Sequence, residues 1–177
     1  LFEPWVDRGF DIRVQTLESK FFVGTPLADW ATSFWQEKRY LRFAYAHLSD
    51  AFRYAALWKF GGIYIDFDTL VLRPMHSLRN AVGYQKVQRL GSEGEAINNN
   101  PLIFDKGHPF LWALMEQLPS RHNDTVWSCV GPQLLKDLLI RWSSDIPGSV
   151  RSLVEPLGHY LEKIVPAVGQ RQVQKDS

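Results

Sequence analysis

At 177 residues, with 45% hydrophobic and 22% charged residues, the chain is long enough to bury one sizeable core and has an ordinary globular composition. A net charge of +1, with no block of about five or more like charges, argues against the basic footprint of a nucleic-acid surface. The single cysteine, Cys129, excludes an intrachain disulfide and a cysteine zinc cluster, and no apolar run reaches the roughly 18 residues that span a bilayer.

Asp11 to Leu17 alternates apolar and polar residues, which predicts a strand. Leu27 to Tyr40 reads as a helix, and Tyr45 to Phe60 as a second one, with Ser49 suited to N-capping and Asp50 to a first turn. Gly61 and Gly62 supply a left-handed stop and a tight turn. Ile63 to Ile65 then extends, and strand periodicity places Asp66 and Asp68 on one side with Phe67 on the other. A further β run from Thr69 to Leu72 stops at Arg73-Pro74. Val82 to Val87 reads as a strand, Leu90 to Glu95 as a glycine-containing loop, and Leu102 to Phe104 as a short strand.

His108-Pro109 opens a helix to about Leu118. Gly131-Pro132 leads into another, Gln133 to Trp142, in which Leu134, Leu135, Leu138 and Leu139 recur at helical spacing. Beyond Trp142 the pattern weakens, and Gln170 to Ser177 reads as a frayed polar tail. Alternating strands and helices predict a single α/β domain over residues 1–177. Seven tryptophans predict a large aromatic core, with one or two exposed rings left for stacking on sugar.

Two carboxylates converging at a strand end repel each other unless a cation or a proton sits between them. Asp66 and Asp68 therefore suit a divalent metal that also holds a diphosphate, and the plainer reading of the pair is a set of Asx turns. Asp50 and Arg53 lie one helical turn apart and, on their own, make a local ion pair. Asn98, Asn99 and Asn100 read as a loop. Gly131 and Gln133 sit at a loop-to-helix junction whose N–H groups suit phosphate or sugar. Tyr54 reads as core and His108 as a structural residue at a helix start. Asn123-Asp124-Thr125 satisfies the N-glycosylation sequon.

The ordered residues Ser49-Asp50-x-x-Arg53-Tyr54 and Trp58-Lys59-Phe60-Gly61-Gly62-Ile63-Tyr64-Ile65-Asp66-x-Asp68 resemble the DxD sugar-binding region of the α1,4-galactosyl- and α1,4-N-acetylglucosaminyltransferases. Thr25 to Trp30, Leu70 to Leu72, Leu78 to Asn80, Ile97 to Asn99, Ile103 to Pro109 and Gly131 to Leu135 extend the likeness over roughly Phe21 to Trp142. The resemblance implies a GT-A nucleotide-sugar-binding domain with a mixed, mostly parallel sheet. The chain would enter that domain at the second strand, Asp11 to Leu17, as a fragment lacking the first. It also implies Mn²⁺ or Mg²⁺ at Asp66 and Asp68, with Asp68 binding directly and Asp66 assisting through ribose or water.

The donor, by the same resemblance, is UDP-galactose or UDP-N-acetylglucosamine, held by Asp50, Arg53, Gly62, Asp66, Asp68, Asn98, Gly131 and Gln133. The acceptor is a glycan or glycolipid hydroxyl, and nucleic acid is not a partner. Transfer is retaining, by front-face displacement, because no residue stands out as a covalent nucleophile; none is assigned as catalytic. The implied setting is the Golgi lumen, in a type II protein whose membrane anchor lies outside this chain. The pattern departs at Cys129, where relatives carry histidine two residues before Gly-Pro; the role of that histidine is vacant here or passes to His159. Two other readings compete. Ile63 to Leu70 also fits a haloacid-dehalogenase-like phosphatase, with Asp66 as nucleophile and Asp68 as general acid. A non-catalytic nucleotide-sugar or glycan-binding domain is the third.

Overall fold

In the computed structural model, which describes residues 3–89 and 92–145, helices and a small sheet share one core. The helices are α1 (Glu3–Val6), α2 (Ala28–Glu37), α3 (Ala44–Phe60), α4 (Pro109–Arg121) and α5 (Pro132–Asp145). The strands are β1 (Gly62–Tyr64), β2 (Ala81–Arg89) and β3 (Ser92–Phe104). Helix α3 is the central element: it packs on α4, β1 and β3, while α5 closes against α4 and β3. Ala51, Tyr54 and Ala55 of α3 are fully buried, as are Leu111, Leu114 and Leu118 of α4 and Leu134 and Leu135 of α5. Trp30, Trp35, Trp58, Trp112 and Trp142 lie half-buried against this core, as the aromatic content predicts, whereas Trp5 and Trp127 are exposed.

The two ends of α3 are made differently. At the C-terminal end Gly61 has φ +68°, and a Cβ there would lie 2.7 Å from the Lys106 backbone nitrogen, so the expected glycine stop also permits a close chain approach. At the other end the expectation of a cap at Ser49 is wrong. The helix starts at Ala44, and Ser49 and Asp50 lie inside it. The carboxylate of Asp124, which precedes α5, accepts the N–H groups of Arg42 at 2.8 Å and Phe43 at 3.1 Å. A remote carboxylate thus ties down the chain entering the helix, where Phe43 at the N-cap position has no side-chain cap of its own.

The sheet is antiparallel throughout the described residues, in the order β1-β3-β2, which corrects the mostly parallel arrangement expected. Among the described residues Asp11–Leu17 joins no ladder; Val14 is 81% exposed, and its alternation finds no neighbouring strand there to bury against. Thr69–Leu72 likewise forms no strand, and Leu70 and Leu72 face solvent. Ser92 to Glu95, expected in a loop, pair instead with Arg89 to Lys86; Leu90 and Gly91 lie outside the described residues. Residues 146–177, including His159 and the polar tail, also lie outside them.

The seam of the sheet is irregular where it meets α3. The β2–β3 register jumps from Gly83↔Asn98 to Val82↔Leu102, looping out Asn99, Asn100 and Pro101 on β3. On the other side the ladder of β1 stops at Tyr64↔Leu102. The next residue along β3 is Pro101, which has no N–H to donate, so pairing ends there. The strand expected over Ile63 to Ile65 is therefore shifted and short.

Candidate functional site

The looped-out residues and α3 meet in a buried polar network. Asp50 and Arg53, with side chains 8% and 7% exposed, form an ion pair at 3.3 Å. Asp50 Oδ1 accepts from Asn99 Nδ2 at 2.6 Å. Arg53 donates through Nη1 to the Asn99 carbonyl at 2.8 Å, through Nη2 to Ser49 Oγ at 3.1 Å, and through Nε to the Ser49 carbonyl at 3.3 Å. The Tyr64 ring lies under the guanidinium, 4.6 Å from its carbon to the ring centroid. Every face of Arg53 is thus engaged by the protein, which the sequence reading of a local ion pair or a free sugar donor did not anticipate.

Asp66 is the outward end of this network. Its Oδ1 accepts from the Tyr64 hydroxyl at 2.8 Å and faces Arg53 Nη2 at 3.4 Å. Both contacts fall on one oxygen, and Oδ2 has no partner among the described residues. Asp66 does not lie in a strand with Asp68 on the same face, as alternation predicted. The two belong to a turn closed by the Thr69 N–H donating to the Asp66 carbonyl at 3.0 Å. Asp68 is exposed and makes no hydrogen bond or ion pair among the described residues, and Phe67 between them is 95% exposed.

Burial pushes the Asp50 carboxyl up to about 6; Arg53 and the Asn99 amide pull the other way, and the charge of Asp66 adds to the rise. Tyr64 is likewise raised, chiefly by burial. Tyr54 is core, as expected, and its hydroxyl donates to the carbonyls of Val130 and Gly131 at 3.2 and 3.3 Å.

The other residues singled out in the sequence fall in varied places. A Cβ on Gly131 would lie 2.4 Å from Asp50 Oδ2 and 2.8 Å from Asn99 Nδ2, so the glycine gives the network room. Gln133 is exposed, and its N–H already donates to the Ser128 carbonyl at 3.2 Å. Gly62 pairs with Phe104 in β1 at φ +100°. Asn98 stays in the ladder opposite Gly83, half-buried, while its neighbour Asn99 turns into the network.

Sequence reasoning missed Ser49, Tyr64 and the separate roles of Asn99 and Asn100. The proline after an asparagine run was the available signal, since it marks where a ladder must fail. His108 caps α4, its Nδ1 accepting from the Phe110 N–H at 3.2 Å, as expected. Cys129 is buried among His47, 3.7 Å from its Nε2, and the backbone of Asn123. These neighbours are not those of Asp66, which meets Tyr64, Asn100 and Arg53.

As a donor set, Asp66 and Asp68 offer hard carboxylate oxygens, which suit Mg²⁺ or Mn²⁺. Among the described residues no group of three or more His, Cys, Asp or Glu side chains converges to hold a metal. A cation here would take its other ligands from water and from a bound oxyanion, and in that sense the residues fit a metal shared with a diphosphate.

Comparison with known proteins bears on the same residues. Residues 6–87 match the glycosyltransferase sugar-binding region containing the DXD motif, and residues 103–148 match the alpha 1,4-glycosyltransferase conserved region. The chain is 36% identical over 136 residues to lactosylceramide 4-alpha-galactosyltransferase of Pongo pygmaeus, covering 77% of this chain and 56% of that protein. Against the Homo sapiens protein of that name it is 35% identical, covering 77% of this chain and 35% of the relative. Human alpha-1,4-N-acetylglucosaminyltransferase is 34% identical over 53% of this chain and 25% of its own length. The chain thus spans between about a third and just over half of these galactosyltransferases. No solved structure matches it significantly. The sugar-binding match contains the whole run from Ser49 to Asp68, and with the second match downstream the chain belongs to the DXD glycosyltransferases of the α1,4-galactosyl- and α1,4-N-acetylglucosaminyltransferase family.

Proposed function

We propose that this chain carries the donor-binding core of a metal-dependent, retaining glycosyltransferase. It would move galactose or N-acetylglucosamine from a UDP-sugar to a glycan or glycolipid hydroxyl. The observation that supports this reading best is the asymmetry of the two carboxylates. Asp66 is anchored through Oδ1 by Tyr64 and Arg53, while its Oδ2 and the whole of Asp68 are unclaimed among the described residues. Family membership points the same way, and it weighs against the phosphatase and binding-only readings.

In this reading Asp68 and Asp66 hold Mn²⁺ or Mg²⁺, which when bound neutralises the charge growing on the leaving diphosphate. Arg53, Tyr64 and Ser49 fix the Asp66 carboxylate in advance, so little reorganisation is needed on binding. Asp50 and Asn99, packed against Gly131, would back the donor sugar, and Gly62, Asn98 and Gln133 belong to this proposal as further donor contacts by family resemblance alone. A GT-A arrangement and a Golgi-lumenal, type II setting belong to the same proposal; no described helix is long and apolar enough to cross a membrane.

The test is titration calorimetry of UDP against the full-length protein with and without Mn²⁺. UDP is expected to bind more tightly with the metal. Asp68→Ala is expected to abolish the enhancement, a loss of roughly 100-fold or more in transfer, with little change in stability because the side chain is exposed. Equal UDP affinity with and without Mn²⁺ in the unmodified protein would sink the proposal.

A further inference from the structure

We propose that Asn100 is a positioning residue that sets the geometry of Asp68 relative to Asp66; this rests on the donor-site reading above. The side-chain amide of Asn100 holds the turn at both ends. Its Oδ1 accepts the Asp66 N–H at 3.0 Å, and its Nδ2 donates to Thr69 Oγ1 at 2.7 Å. Between these points lie Phe67 and Asp68, which have no side-chain hydrogen bonds among the described residues. The place of the Asp68 carboxylate therefore follows from the backbone of the turn, and the backbone of the turn is pinned by Asn100.

The chemistry calls for an amide at this position. Pairing between β1 and β3 stops where Pro101 has no N–H, and Asn100 is looped out of the ladder just beyond it. Its side chain takes up the Asp66 N–H, which has no other partner among the described residues. One planar group accepts at one end and donates at the other, as a carboxamide does, and Asn has a shorter reach than Gln. Aspartate would keep the acceptor but add a third carboxylate beside Asp66 and Asp68. Alanine would leave the Asp66 N–H without this partner. Cations bound by few protein ligands are sensitive to such supporting contacts, whose removal costs roughly 10- to 100-fold in metal affinity.

The experiment compares the full-length protein with Asn100→Ala and Thr69→Val, using Mn²⁺ and UDP as probes. In Asn100→Ala the tightening of UDP binding by Mn²⁺ is expected to fall roughly tenfold or more, while UDP affinity without metal stays the same. The Asp66 amide is expected to exchange its hydrogen faster, an effect read without any metal. Thr69→Val breaks only the Nδ2 end and is expected to weaken the enhancement by about threefold. A merely structural role would lower the melting temperature of Asn100→Ala and leave the metal enhancement intact, and that result overturns the inference. If Asn100→Ala does not fold, an unchanged enhancement in Thr69→Val overturns it instead. Absence of any metal enhancement in the unmodified protein would remove the donor-site reading itself, and this role with it.

Discussion

Helix α3 carries two buried polar clusters, and they are built to opposite ends. Near its start His47 is fully buried, its Nε2 against the Val126 carbonyl at 3.1 Å and its Nδ1 against His122 Nε2 at 3.1 Å, with Cys129 beside it. That cluster closes on itself and joins α3 to the chain between α4 and α5. Within the next two turns, Asp50 and Arg53 form a second cluster that is just as deep, yet it runs outward through Tyr64 to Asp66. The first ends in satisfied partners, and the second ends in a carboxylate with an unclaimed oxygen. Burial and hydrogen bonding alone therefore do not identify a site; what distinguishes the second cluster is where its chain of contacts stops.

Arg53→Lys strains this contrast most. Lysine keeps the charge but cannot reach Ser49, Asn99 and Asp66 together, so a buried network is left partly unsatisfied. A stability loss of about 3 kcal/mol in urea denaturation is expected. Transfer is expected to fall by roughly tenfold or more, since a misplaced Asp66 loses its preorganisation. Full activity with undiminished stability would reduce the second cluster to a surface-type ion pair.

An effect on stability alone concerns pH. The Asp50 carboxyl sits at about 6 in the folded protein against 3.8 without burial, so between these values the folded state binds the extra proton. Stability from this group is therefore greatest below about pH 4 and declines as pH rises to about 6, by roughly 3 kcal/mol. His122 is shifted down by burial and by His47, which gives an opposing trend just below 6.5. The difference between the unmodified protein and Asp50→Asn isolates the carboxyl. That difference should move against the unmodified protein between about pH 4 and 6, and a flat difference would mean that the Asp50 carboxyl is not desolvated as described.

The smallest effect belongs to the first cluster's neighbour, Asp124. Asp124→Ala removes the carboxylate that serves the start of α3 and is expected to cost about 1 kcal/mol in thermal or urea unfolding. Metal-enhanced UDP binding should not change, because the second cluster does not depend on this contact. A large loss of that enhancement would show the two clusters to be coupled.

What could be read from the chain in advance follows a physical division. Helices with local signals were legible: the Gly61 stop, the His108-Pro109 start and the leucine spacing of α5 all act within a turn or two. The start of α3 was not, because no side chain caps it and the chain entering it is held by Asp124, more than half the described sequence away, while Ser49 looked suitable and lies mid-helix. Strand character in Asp11–Leu17 failed for lack of a partner, and the sheet direction expected from the family resemblance gave way to an antiparallel ladder. In the site, Asp50, Arg53, Asp66 and Asp68 were visible as a spaced set. Which of three consecutive asparagines does what was not visible, since that depends on a break in register rather than on residue type.

That break has a consequence for how the chain tolerates insertion and deletion. Surface loops usually absorb a lost residue by shortening, but the looped-out segment of β3 is short and tied on both flanks. Asn98 is paired to Gly83 on one side, and Leu102 is paired to both Val82 and Tyr64 on the other. Losing one residue between them would shift the asparagines relative to the Asp50 network and the Asp66 turn alike, because adjacent positions on one tied segment serve the two sites. Substitution can alter one of these contacts at a time, whereas a change of length here would disturb both together.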